Sequence, residues 1–224
     1  MKASTGNLAN KMLGHGPGVL WAMFVGGVLW VVLGYFRFLT PLGLDVTFRD
    51  DLGYSQILRT ELFLLYNLPG VLALLLTAWA ALSYLTTLRT ARTGLKRAAQ
   101  VFALLASLLG LVAAAGQIIQ VDPLTTGGLR LGAPILGLAL FLAGLSVGRD
   151  SNRQEGHQRL LVLELILLGV IGMATLPVGT IIYALALLPH VFGTGLSALF
   201  GAGWIILGFS LRNETVKDAG AAYA

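Results

Sequence analysis

Cysteine is absent from this 224-residue chain, and disulfides, thiolate zinc sites, iron–sulfur clusters and a thiol nucleophile are excluded with it. Charge is scarce: Asp, Glu, Lys and Arg make up 11% of residues, less than half the roughly 25% typical of soluble domains. The three histidines are His15, His157 and His190. None lies midway along an apolar run and no two share a helix face, which argues against bilayer-buried haem ligation. A lone histidine also lacks the further ligands that zinc needs. H-E-x-x-H, Walker A, the dinucleotide fingerprint and the G-x-S-x-G elbow do not occur. Gly193-Thr-Gly195-Leu-Ser197 looks superficially like a serine motif but has no partnered base. No cofactor or metal motif is visible, and an enzyme is the weakest of the functional classes considered below.

Apolar residues are what the chain does have, at 56%, with a mean hydropathy of +0.82. The charges gather in short clusters between long apolar runs. A run of roughly 18 or more apolar residues reads as a transmembrane helix, because about 20 residues rising about 1.5 Å each span a hydrocarbon core about 30 Å thick. The runs are continuous and rich in Leu, Ala and Gly. They lack the period-two alternation of barrel strands, so helices are favoured over a barrel. The expected fold is all-α: a single integral membrane domain over 1–224 with six spans, at 19–36, 62–85, 98–119, 131–147, 160–188 and 191–211, and an outer loop at 37–61. Lys2 and Lys11 precede the first span in the manner of a signal peptide. The exit reads Gly34-Tyr-Phe-Arg-Phe-Leu, without a small-x-small cleavage site, so it reads as a retained helix.

Basic residues set the orientation. With the N-terminus inside, the inner side holds Lys2, Lys11, Arg89, Arg92, Lys96, Arg97, Arg149, Arg153, Arg159, Arg212 and Lys217, and the outer side only Arg37, Arg49, Arg59 and Arg130, eleven against four. The ten acids split five and five, so the asymmetry is in the cations, as the positive-inside rule requires. Both termini are expected in the cytoplasm and the chain in the plasma membrane. Arg89, Arg92, Lys96 and Arg97 form a run without acids, which suits anionic lipid headgroups better than nucleic acid.

Small residues recur every fourth position at Ala73, Thr77 and Ala81, at Ala106, Gly110 and Ala114, and at Gly193, Ser197 and Gly201. Such stripes let helix backbones approach closely, either inside the bundle or against a second copy or a partner subunit. The words Ala81-Leu-Ser-Tyr, Gly144-Leu-Ser-Val-Gly-Arg149 and Gly208-Phe-Ser-Leu-Arg212 end the even-numbered spans. They are the trace of a repeated helical hairpin, or convergence on a shared need for an inner basic residue. The fifth span is too long for a straight crossing, and Pro177, between Gly172 and Gly179, predicts a kink near Leu176.

In the outer loop, Asp50 or Asp51 would cap a helix beginning near Leu52, with Leu52, Ile57 and Leu58 at the headgroup boundary. Asp45, Asp50 and Asp51 invite calcium, but the loop lacks the EF-hand pattern and its closing glutamate. The polar residues Glu61, Asn67, Gln117, Gln120, Tyr183 and His190 all fall toward the outer third of the bilayer. They define a candidate ligand-binding vestibule, with Gln117 and Gln120 three apart on one face. Glu164 lies five residues into the fifth span, where a carboxylate must reach the interface, pair with Arg159 or Arg153, or take a proton. With Pro177 it is the candidate coupling element. The leading expectation is a small-solute or ion transport or binding component. The alternative is a non-catalytic structural or assembly subunit of a larger membrane complex. A polar cavity between the second, third, fifth and sixth helices would mark the first. A packed interior with an outward stripe of small residues would mark the second.

Overall fold

The computed structural model describes residues 16–39, 46–49, 54–57, 60–88, 90, 92–148, 156–185 and 191–221. Six helices run through them: α1 (Pro17–Leu39), α2 (Thr60–Thr87), α3 (Thr93–Ile118), α4 (Asp122–Gly148), α5 (Gly156–Leu185) and α6 (Val191–Ala221). All six are long and apolar enough to cross a membrane, which is compatible with a multipass membrane protein. Consecutive helices pack on each other and α6 returns onto α1, closing a ring, while α4 also touches α2 across it. The connections α2–α3 and α4–α5 therefore share one end of the bundle with the start of α1 and the end of α6. This is called the basic end below. The opposite end carries the α1–α2, α3–α4 and α5–α6 connections.

That opposite end departs from expectation. Val46–Arg49 (β1) and Tyr54–Ile57 (β2) pair antiparallel, with Val46 opposite Ile57 and Arg49 opposite Tyr54. Residues 54–57 are thus extended and not the start of a helix flowing into the second span. β-branched and aromatic residues at Val46, Thr47, Phe48, Tyr54 and Ile57 favour the pleated conformation. Asp45, Asp50, Asp51, Leu52 and Leu58 lie outside the described residues. β2 rests against α4, so the hairpin lies beside the beginning of that helix.

The fourth helix also begins earlier than hydropathy predicts, at Asp122 and not Leu131. Its first nine residues, Asp-Pro-Leu-Thr-Thr-Gly-Gly-Leu-Arg, are too polar to read as a span. Pro123 sits in the first turn, where a missing N–H costs nothing, and the acidic Asp122 suits the positive end of the helix dipole.

Glycine governs the closest helix contacts. A Cβ on Gly27 of α1 would lie 2.7 Å from the Gly201 carbonyl oxygen of α6, and a Cβ on Gly201 would run into the Gly27 carbonyl in return. On α4 and α5, a Cβ on Gly137 would meet the Met173 nitrogen at 2.6 Å, and one on Gly169 the Phe141 nitrogen at 2.6 Å. Lipid supplies no hydrophobic drive between helices, so dispersion across such backbone contacts does much of the holding. Most of the small-residue positions face into the bundle: Ala73, Thr77, Ala81, Ala106, Gly110 and Gly201 are buried, while Ala114 and Ser197 are half-buried.

The interior is packed with large side chains. Trp30, Phe200 and Trp204 are at most 2% exposed. Their rings meet edge to face, Trp30 to Phe200 at 5.5 Å and Phe200 to Trp204 at 6.2 Å, an arrangement the ring quadrupoles favour. The Trp30 indole N–H donates to Thr77 Oγ1 at 3.3 Å, and that hydroxyl donates to the Ala73 carbonyl at 2.6 Å. The outside is apolar as well. Val101, Leu104, Leu108 and Leu111 on α3, and Leu160, Leu163, Leu167 and Val170 on α5, are exposed, forming faces far more suited to lipid than to water. Trp21 and Trp79 toward the basic end, and Tyr35 toward the hairpin end, are exposed too, as aromatic belts at headgroup level would be.

Candidate functional site

The turn between α3 and α4 builds the first part of the site. α3 ends at Ile118, and the next residues close it with Ile119 N–H on the Ala115 carbonyl and Val121 N–H on the Gly116 carbonyl, at 2.9 and 2.8 Å. This is the bonding of a Schellman turn, which needs a left-handed residue after the helix. Gln120 takes that place with φ 60°. The pairing of Gln117 with Gln120 on one helix face is thereby corrected. Gln120 lies past the helix end and is exposed, whereas Gln117 is buried.

Gly116 lets the start of α4 come close. A Cβ there would stand 2.6 Å from Thr125 N and 2.7 Å from Thr125 Oγ1. Next to it, Gln117 is 5% exposed, and its Oε1 and Nε2 are both buried with no hydrogen-bond partner among the described residues. Thr125 is fully buried, and its Oγ1 is likewise without a partner there. Leaving such groups buried and unpaired costs about 1–3 kcal/mol each.

Helix register brings a third residue to the same level. Halfway along the bundle, α2, α3 and α4 meet at Leu74, Gly110 and Gly132. The Leu74 side chain lies where a Cβ on Gly132 would be, and its Cγ is at ordinary contact distance, 3.5 Å, from that point on Gly110, where the Leu75 side chain is nearer at 2.8 Å. Seven residues along an α-helix return almost to the same face, with a drift of about 20°, displaced by about 10 Å. Seven residues from these three positions toward the hairpin end stand Asn67, Gln117 and Thr125, and all three are buried. Asn67 is 1% exposed, and its Nδ2 donates to the Phe63 carbonyl one turn back at 3.0 Å. The three helices that touch through apolar and glycine residues in mid-bundle thus turn polar together near one end.

Among the described residues, Glu61 and Gln120 do not join this cluster. Glu61 is exposed in the first turn of α2, where a carboxylate suits the helix N-terminus. Tyr183 lies within α5, with its side chain outside the described residues, as is the whole of His190.

At the basic end, Glu164 on α5 finds a partner on α6 and not on its own helix. Ser210 Oγ donates to Glu164 Oε1 at 2.8 Å, while Oε2 is buried with no partner among the described residues. Arg159, expected as its partner, is exposed, and Arg153 lies outside the described residues. α5 continues as helix through Pro177 to Leu185. The proline is exposed, and Thr175 Oγ1 donates to the Gly172 carbonyl at 2.7 Å. In the basic run, Lys96 turns back on the bundle: its ammonium donates to the Leu88 carbonyl at 2.6 Å and the Thr86 carbonyl at 3.2 Å. It closes the carbonyl end of α2, where a cation also meets the negative end of the helix dipole. Arg97 is exposed and Arg92 half-buried. Arg89 lies outside the described residues.

Sequence reasoning missed Thr125 and Ser210. Thr125 sits in a stretch read as connection, and a helix start at Asp122-Pro123 was the signal that would have placed it. Ser210 stands in the repeated word, a small residue two before a serine, at the ends of the even-numbered helices, which held the serine without showing its partner. Comparison with protein-family models, with curated proteins and with solved structures finds no match to this chain.

Proposed function

We propose that this chain is a multipass protein of the plasma membrane with both ends in the cytoplasm, and that it binds or transports a small solute entering from the hairpin end. The Gln117 carboxamide carries the reading, being 5% exposed with both polar atoms unpaired. Packing alone would favour an apolar residue at such a position. Asn67 and Thr125 on the helices packed beside it extend the same polar level. The eleven-to-four excess of basic residues on the side of the termini supports the orientation. Glu164 and Ser210, bonded across α5 and α6 at the far end, are where a change in helix packing would be felt from the other face, and that is the coupling role proposed for Glu164.

The subunit reading keeps one of its two marks, the packed interior, and loses the outward stripe on α2 and along most of α3, where Ala73, Thr77, Ala81, Ala106 and Gly110 are buried against this chain's own helices. Purification in mild detergent, followed by mass determination of whatever co-purifies, tests the choice. A bound small molecule, lost in Gln117→Leu, is the expected result. A stoichiometric foreign chain with no small molecule would replace this reading with that of a complex subunit.

A further inference from the structure

The polar level formed by Asn67, Gln117 and Thr125 also limits what it can hold. Every group there is neutral: two carboxamides and one hydroxyl. Gln117 and Thr125 offer donors and acceptors side by side, since a carboxamide carries a carbonyl acceptor and two N–H donors and a hydroxyl can do either. Thr125 strengthens the point. A helical threonine ordinarily turns its hydroxyl to the carbonyl three or four residues back, as Thr77, Thr126 and Thr175 do in this chain. Thr125 does not, and its buried Oγ1 has no partner among the described residues. Gln117 has the same character at both of its polar atoms.

An ion stripped of water in such a place would need a full counter-charge or a complete shell of oxygens to offset its desolvation. The Gln117 carbonyl and one hydroxyl fall short of that. Of the charged side chains of α2 and α4 at this end, Glu61 and Arg130 are exposed, and Asp122, half-buried in the first turn of α4, has a partner of its own. A neutral molecule that both donates and accepts loses only ordinary hydrogen bonds to water and regains them from the Gln117 carboxamide and the Thr125 hydroxyl.

Resting on the solute reading above, we propose that the buried face shared by Asn67, Gln117 and Thr125 is a binding site for small uncharged molecules that both donate and accept hydrogen bonds, of the amide, urea or polyol class. The site lies near the ends of its helices, Gln117 one residue before the end of α3 and Thr125 three residues after the start of α4. Solute would reach it from the hairpin end, and the leucine contacts with Gly110 and Gly132 toward mid-bundle would stop ions and bulk water.

The test is flux into proteoliposomes holding the full chain, followed by light scattering under imposed gradients of urea, acetamide or glycerol, and of potassium chloride. The expected result is uptake of at least one uncharged solute at least tenfold above protein-free vesicles, with no potassium chloride flux. Gln117→Leu and Thr125→Val should each cut that uptake tenfold or more. Circular dichroism and thermal melting of both variants establish that they fold. Flux of potassium chloride without flux of uncharged solutes would overturn the solute class and leave the transport reading standing. Uncharged flux unchanged in two folded variants would overturn the site. No flux of any solute, together with no small molecule co-purifying, would overturn both.

Discussion

Ser210 on α6 donates a hydrogen bond to Glu164 on α5, Oγ to Oε1 at 2.8 Å, and so ties two helices together within the apolar zone. A glutamine at 164 keeps an acceptor for that hydroxyl and brings donors for the buried position of Oε2. Glu164→Gln is therefore predicted to express and fold, with a melting temperature close to the parent. Ser210→Ala removes the donor and is predicted to cost about 1–2 kcal/mol. The two changes together should cost less than their sum, read from thermal melting in detergent as a double-mutant cycle. Failure of Glu164→Gln to insert or express would make the carboxylate a structural element and remove it from any coupling role.

Gly27 and Gly201 bring α1 and α6 into backbone contact. Gly201→Ala drives a methyl group into the Gly27 carbonyl and is predicted to destabilise the protein by about 1–3 kcal/mol. Gly195→Ala is the matched control on the same helix, since nothing lies within 4 Å of its added Cβ. That change should be neutral within about 0.5 kcal/mol or slightly stabilising through helix propensity. Equal melting temperatures for the two variants would refute the glycine contact.

Lys96 and Arg97 are neighbours with different work. Lys96 donates to two carbonyls at the end of α2, so Lys96→Met is predicted to lower stability by about 1 kcal/mol. Arg97 is exposed and free to meet headgroups. Arg97→Gln is predicted to leave the melting temperature unchanged while weakening preference for anionic over neutral lipid by about 1 kcal/mol. Native mass spectrometry of lipid adducts and thermal melting, run on both variants, separate the two roles. An unchanged lipid preference in Arg97→Gln would dismiss the headgroup contact there.

The spans were legible because hydropathy sums over many residues, and a helix in lipid leaves no other way to satisfy its backbone. Leu62 to Leu85 falls within α2 and Ala98 to Ile119 nearly coincides with α3 for that reason. What hydropathy could not show were features decided by a few residues. The start of α4 rests on Asp122-Pro123 and the turn before it, so Thr125 was taken for loop. The β-hairpin at 46–57 rests on strand pairing between two short segments, a long-range fact that helix-cap patterns cannot report. Gln120 was placed on a helix face because its spacing from Gln117 allows it, and only its left-handed backbone removes it. Asn67 and Gln117 stand out in the sequence as polar residues within apolar runs, and both are buried. That they share a level follows from the contact of Leu74 with Gly110 and Gly132, which no single stretch of sequence contains.

The account rests on Gln117 being a buried amide that solute can reach, and the absence of cysteine from the chain makes this directly measurable. Gln117→Cys and Leu136→Cys introduce single thiols at two positions that are at most 5% exposed, the first at the polar level and the second in the apolar core. With a small neutral methanethiosulfonate added to the folded protein in bilayer discs, the account predicts that the thiol at position 117 is modified at least a hundred times faster than the one at 136, and that a saturating uncharged solute slows it. Equal, slow modification at both positions would contradict it, since the amide would then sit in an interior as closed as the rest of the core.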